Sequence, residues 1–206
     1  MQQIKLNFSE TLTDSVSIGL KNAASIVGCL VLWLLTIWIP YINVGTTIAI
    51  CTLPIELSKG KIISPLAIFD EKYRKYMGEF FLAVGFMYIP ILLATMFMFI
   101  PGIILSIAWS LTIFLVLDKG MNPAEAISAS NKATYGNKVV MFLLTFLVMI
   151  VGYTAIFVFT LIPFVGAVLA VLGFIVLYAI MIALQASFYR QLTGNIQHKD
   201  EEPNVE

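Results

Sequence analysis

The chain alternates between apolar and polar stretches on a scale much coarser than any single helix or strand. Three stretches, residues 22–55, 80–117 and 139–189, hold no Lys, Arg, Asp or Glu and run for 34, 38 and 51 residues. A helix rises about 1.5 Å per residue and the bilayer hydrocarbon is about 30 Å thick, so about 20 residues make one crossing. Each stretch exceeds one crossing. Each also holds, near its middle, a proline with turn-compatible neighbours: Ile39-Pro40-Tyr41-Ile42-Asn43-Val44-Gly45, Ile100-Pro101-Gly102 and Ile162-Pro163-Phe164-Val165-Gly166. The pattern predicts three helical hairpins, each turning at its proline.

Three hairpins, over residues 22–57, 79–117 and 138–189, make an all-α polytopic integral membrane protein with six transmembrane helices. Their ends return to one side, which then carries all twelve basic residues and both termini. The positive-inside rule makes that side cytoplasmic. Three tilted single crossings are the competing layout, but they would divide the basic residues between two faces and leave a proline turn in mid-membrane each time. The second and fourth helices, at 45–57 and 103–117, are short for a full span. Bilayer thinning, snorkelling of Lys59 and Lys61, or a hairpin that dips without crossing would each accommodate them. The third helix, 79–98, contains Ile89-Pro90 and is expected to kink there.

The polar segments carry patterns of their own. Over residues 7–20, Phe8, Leu12 and Val16 recur at i, i+4, i+8 with Glu10, Asp14 and Ser17 elsewhere, which predicts an amphipathic helix in the membrane interface. The two loops between hairpins repeat one design: Ser64-Pro65 followed by Gly78, and Asn122-Pro123 followed by Gly136, thirteen residues from proline to glycine in both. An N-cap residue, a first-turn proline and a left-handed C-terminal glycine predict cytoplasmic helices at 65–77 and 123–135. Glu125 would complete a capping box with Asn122. In the first loop helix Leu66, Phe69, Tyr73 and Tyr76 form one stripe, flanked by Asp70/Arg74 and Glu71/Lys75 at i, i+4, so it should lie along the headgroups. Lys72, Arg74 and Lys75 are its candidate lipid-headgroup contacts. The second is built from Ala124, Ala126, Ser128, Ala129, Ser130 and Ala133, which suits packing against protein. Residues 191–206 are polar and acidic and are expected to form a disordered cytoplasmic tail.

Composition narrows the function classes. Apolar residues make up 60% and charged residues 12%, against roughly 45–50% and 25% in soluble domains, so a soluble fold is excluded. A net charge of zero, with the basic residues spread over four segments, gives no nucleic-acid footprint. The first twenty residues lack a short apolar run with a small-residue cleavage site, so no cleavable signal peptide is expected. Cys29 and Cys51 have no metal or redox spacing and read as small buried hydrophobes. His198, the one histidine, falls in the tail, leaving no His-x-x-x-His metal site and no Ser/His pair. No catalytic residue, cofactor or metal is expected.

Two constellations remain. Glu56 and Gln185, on the second and sixth helices at comparable expected depth, are the candidate polar gate or ion-binding pair; interfacial pairing of Glu56 with Lys59 is the plainer alternative. Gly166, Ala170 and Gly173, continued by Ala179, Ala183 and Ser187, form a small-residue stripe for close helix packing, within the chain or between copies. Trp33, Trp38 and Tyr41 fit an outer aromatic belt, and Tyr73, Tyr76 and Tyr189 an inner one.

The segments Ile100-Pro101-Gly102-Ile103-Ile104, Asp118-Lys119-Gly120, Asn122-Pro123-Ala124-Glu125-Ala126-Ile127-Ser128-Ala129-Ser130, Gly136-Asn137-Lys138 and Phe188-Tyr189-Arg190 carry a family likeness. Over residues 21–190 the chain resembles the membrane domain of bacterial glycerophosphoryl diester phosphodiesterases and its stand-alone integral-membrane relatives. The resemblance implies a multi-helix protein of the bacterial cytoplasmic membrane and brings no catalytic residues, because the enzyme of the fused members is a separate soluble barrel, absent from this sequence. Relatives often place a positive charge in the fourth helix, where this chain has Trp109 and Ser110. The expected function is a non-enzymatic module of membrane or lipid homeostasis, with membrane lipids as partners and a protein partner at the cytoplasmic face. The alternative is an oligomeric channel or small transporter.

Overall fold

A computed structural model of the chain describes residues 5–194 and residue 196, and among these all regular structure is helical. In chain order the helices are α1 (Phe8–Thr36), α2 (Pro40–Ser58), a 3-10 helix (Pro65–Phe69), α3 (Lys72–Lys75), α4 (Met77–Phe97), α5 (Phe99–Ala108), α6 (Thr112–Lys119), α7 (Pro123–Thr134), α8 (Lys138–Thr160) and α9 (Gly166–Thr193). Five segments are long and apolar enough to cross a membrane: α1, α4, α5 with α6 taken together as Phe99–Lys119, α8 and α9. The 19-residue α2 is not among them.

Asn7 caps α1 by accepting from the amides of Ser9 at 3.1 Å and Glu10 at 3.3 Å. The helix then runs unbroken for 29 residues, so the interfacial helix expected at 7–20 and the first expected crossing are one element. Its buried face is not the Phe8, Leu12, Val16 stripe but Thr11, Ser15, Gly19, Asn22 and Ile26. All but Ile26 are small or can turn their polar atoms back onto their own helix, as Ser15 does by donating to the Thr11 carbonyl at 2.6 Å. They permit close approach to α9, where a Cβ added at Gly19 would lie 2.9 Å from the Ile180 Cα. Ala179, Ala183, Ala186 and Ser187 are fully buried along that part of α9.

Helix breaks fall close to all three prolines. Between α1 and α2 the Asn43 side-chain Nδ2 donates to the Ile37 carbonyl at 3.0 Å, and Trp33 Nε1 donates to Thr47 Oγ1 at 2.9 Å across the helix pair. Between α4 and α5 the break is a single extended residue, Met98, with Pro101 in the first turn that follows. Between α8 and α9 the reversal includes the fully exposed Phe164 at φ 66°. Gly166, Ala170 and Gly173 are on the part of α9 that meets α8: a Cβ at Gly166 would lie 2.5 Å from the Phe159 carbonyl oxygen, and one at Gly173 3.0 Å from Ile156. The small-residue stripe therefore serves two intrachain neighbours in turn, α8 first and α1 beyond it.

The structure departs from the sequence reading in three further places. Residues 65–77 do not form one helix. Asp70 sits between the 3-10 helix and α3 with extended geometry, ψ 133°, and its carboxylate accepts from the Lys72 amide at 3.0 Å. Such a local side-chain bond competes with the helical ladder and wins here. Ser64 makes no side-chain cap, and Gly78 lies inside α4 rather than ending a helix. The ion pairs shift accordingly, to Lys72–Asp70 at 3.7 Å and Arg74–Glu71 at 3.4 Å.

The fourth helix is not short but broken. It runs as α5 and α6 with a non-helical step at Trp109–Leu111, and the groups freed there are taken up by α7. Ser130 Oγ donates to the Ala108 carbonyl at 2.8 Å and accepts from the Leu111 amide at 3.2 Å. Asn122 caps α7 by accepting from the Glu125 amide at 3.1 Å, and Gly120 and Gly136 on either side take positive φ. Ala126, Ser130 and Thr134 are fully buried, so the protein surface that the small residues of 123–135 were expected to meet is the chain's own.

The third departure is at the C-terminal end, where α9 continues helically to Thr193 and includes residues 191–193 of the expected tail. Residues 197–206, with His198, lie outside the described residues.

Candidate functional site

The ionisable side chains gather where helix ends meet. Lys59 caps the C-terminal end of α2 and forms an ion pair with Asp118 in the last turn of α6. The other Asp118 oxygen accepts from the Tyr189 hydroxyl of α9 at 2.6 Å. The Asp118 side chain is only 7% exposed while Lys59 is 42% exposed, so the pair has a dry and a wet side. A second knot joins α1 to α9: Arg190 pairs with Asp14, Ser187 donates to the same carboxylate at 3.0 Å, and Gln191 donates to Thr11 Oγ1 at 3.1 Å. A third ties the N-terminal segment to the start of α8, with the Leu6 amide donating to Asn137 Oδ1 at 2.9 Å. Together they fasten α1, α2, α6, α8 and α9 at one end of the fold.

Beside the first knot lies a cavity of about 210 Å³. Ile48, Ile55 and Leu117 give it an apolar wall, and Tyr73 and Tyr76 line its α3 side. Glu56, Lys59, Lys72 and Asp118 supply two cations and two carboxylates. Glu56 is held by Lys61 at 3.3 Å. Burial works against protonation of Lys72, but Tyr73, Glu56 and Asp70 around it outweigh that and hold its ammonium above the usual lysine range. An amphiphile with an apolar stem and a charged head matches such a lining; a purely apolar or purely ionic ligand does not.

The three basic residues of the 72–75 segment divide. Lys72 lines the cavity. Arg74 turns away, its guanidinium 5.4 Å from the Tyr41 ring centroid. Lys75 is exposed beside Tyr76. The pairing of Glu56 with Gln185 is not formed: Glu56 is engaged with Lys61, no hydrogen bond joins the two, and Gln185 Oε1 is buried without a hydrogen-bond partner. Sequence reasoning missed Asp14, Arg190 and Tyr189 as a fastening set. The available signal was the match between Thr11, Ser15 and Gly19 in α1 and Ala179, Ala183 and Ser187 in α9, two small-residue runs of equal period that can close on each other.

Asp118 is the most buried charge of the set and Tyr189 its neutral support. Tyr189→Phe removes a hydrogen bond to a charged group and should cost about 1.5–3 kcal/mol, read as a lower unfolding midpoint of the detergent-solubilised protein. Lys59→Gln, at the wet side of the same carboxylate, should cost less, because water reaches that side.

Among the described residues no three His, Cys, Asp or Glu side chains come together in a way that could hold a metal ion. Comparison with protein-family models, with curated proteins and with solved structures gave no match.

Proposed function

We propose that this is a non-enzymatic protein of the bacterial cytoplasmic membrane whose helices enter lipid as hairpins from the cytoplasmic side, and whose cavity between α2, α3 and α6 binds a phospholipid headgroup. The observation that carries the reading is the lining of that cavity, with Lys59 and Lys72 beside an apolar wall at the ion-paired end of long apolar helices. Headgroup phosphate sits at that depth in a bilayer, with acyl chains continuing along the exposed apolar helices. The charge-free stretches and the positive-inside rule support a cytoplasmic placement of both termini. The resemblance to the phosphodiesterase membrane domain points to the same membrane.

Lys72→Ala should weaken binding of a short-chain anionic phospholipid to the detergent-solubilised protein about fivefold, from the ~1 kcal/mol that one basic side chain contributes near a headgroup. Lys75→Ala, outside the cavity, should change it little. Native mass spectrometry of lipid adducts measures both. Equal binding by wild type and Lys72→Ala would remove the cavity from the account.

A transport role is the second reading, and a specific feature favours it. Asn22 Oδ1, Thr112 Oγ1 and Gln185 Oε1, on three different helices, are buried without hydrogen-bond partners, as groups that bond enclosed internal waters would be. Single-channel conductance in planar bilayers, abolished by Gln185→Leu, would put this reading first.

A further inference from the structure

Hairpin one, α1 with α2, carries a charged segment along its length. Leaving Lys59, the chain does not stay at the ion-paired end but folds back over the hairpin. Pro65 packs on Gly28, where an added Cβ would lie 2.6 Å from the proline ring. Further on, Arg74 reaches Gly45, whose Cβ would lie 3.1 Å from Arg74 Cγ, and its guanidinium faces the Tyr41 ring. From Gly45 to Lys59 is about 21 Å along a helix at the usual rise. The segment that covers this distance holds Asp70, Glu71, Lys72, Arg74 and Lys75, with the Glu71 side chain 92% exposed and that of Lys72 52% exposed.

Were hairpin one to cross the bilayer, Lys72 could stay at the ion-paired end by the cavity it lines, but Arg74, with Glu71 and Lys75 beside it, would lie within the hydrocarbon or on the opposite face. Each buried charge costs about 2.5–3.5 kcal/mol even on the most lenient insertion scale. The opposite face would break the confinement of basic residues to one side. The reversal itself exposes Trp38 at 87% and Tyr41 at 70%, and such amphipathic rings settle at headgroup level. Of the two helices of this hairpin α1 is long and apolar enough to span and α2 is not, so a crossing hairpin would lack its return leg.

We infer that hairpin one does not cross the membrane: it lies in the headgroup layer of the leaflet that faces the ion-paired end, with Trp38 and Tyr41 as its lipid anchors and residues 65–76 as its water-facing cover. This rests on the proposed entry of the helices from the cytoplasmic side, and it replaces six full crossings by a smaller number.

The test is side-specific labelling in proteoliposomes of the full chain, with Cys29 and Cys51 replaced by alanine and single cysteines introduced by Glu10→Cys, Val165→Cys, Trp38→Cys and Tyr41→Cys. Glu10→Cys defines the cytoplasmic side. Val165→Cys, at the tip of the α8–α9 pair, should react with an impermeant maleimide from the other side only; failure there sinks the proposed layout itself. With that control satisfied, Trp38→Cys and Tyr41→Cys should both react from the Glu10 side. Reaction of either from the Val165 side only, or from neither side, overturns the shallow placement. The wild-type residues are exposed at both test positions, so folding should survive the substitutions, and an unchanged unfolding midpoint confirms it.

Discussion

Gly19→Leu should destabilise the protein by about 3 kcal/mol or more. The reason lies in what a side chain there would strike. The nearest atoms to a Cβ at Gly19 are backbone, the Ile180 Cα at 2.9 Å and the Ala179 carbonyl oxygen at 3.1 Å, and backbone inside a packed helix does not swing aside as a flexible side chain does. Leucine would force α1 away from α9, withdrawing Thr11 from Gln191 and Asp14 from Arg190 along with it. Gly85→Ala is the matching control. Gly85 is inside α4, an added Cβ there meets nothing within 4 Å, and the helical preference of alanine should add about 0.5–1 kcal/mol. Thermal unfolding in one detergent compares them, and opposite signs are expected. A Gly19→Leu protein as stable as wild type would mean that the α1–α9 contact is not as close as described.

Removing the Ser130 hydroxyl should also be costly. Ser130→Ala leaves the Leu111 amide without its acceptor and the Ala108 carbonyl with only the longer contact from Thr134 Oγ1 at 3.3 Å. Ser130 is fully buried, so water does not readily replace the lost bonds, and the cost is about 1–3 kcal/mol. Ser130→Ala combined with Thr134→Val should cost more than Ser130→Ala alone, since both hydroxyls address the same carbonyl. Hydrogen exchange gives the local readout: the Leu111 amide should lose protection in Ser130→Ala while amides in the middle of α8 keep theirs. Unchanged protection at Leu111 would show that the break at Trp109–Leu111 is held by something other than α7.

How far the fold could be read from residues alone depended on the kind of signal. Long charge-free stretches with a mid-point proline marked where three helix breaks fall, because an apolar helix and a proline that interrupts or starts one are local properties that packing does not override. Asn122 and Gly136 also acted where expected, since an N-cap and a left-handed glycine are satisfied within a few residues. Ser64 and Gly78 carried the same pattern and did not act, because Asp70 bonds the Lys72 amide locally and Pro65 packs on Gly28 across the fold. The interruption at Trp109–Leu111 left no mark in composition, since Ser130 and Thr134, which make it tolerable, follow about twenty residues later. The cavity was half legible: Lys72 and Glu56 stood out as charged residues at helix ends, while Tyr189 joined them only through Asp118.

The grip of α9 on α1 has a consequence for how the protein is made. Asp14 and Arg190 are 176 positions apart, so the second half of that contact leaves the ribosome roughly 10–30 s after the first at ordinary elongation rates. Throughout that interval Thr11, Ser15 and Asn22 have no helix to cover them and must be tolerated by lipid or by whatever escorts nascent membrane chains. Closure of this contact therefore waits until α9 has been made, and a chain truncated ahead of Ala179 would present quality-control proteases with a first helix still waiting for its mate.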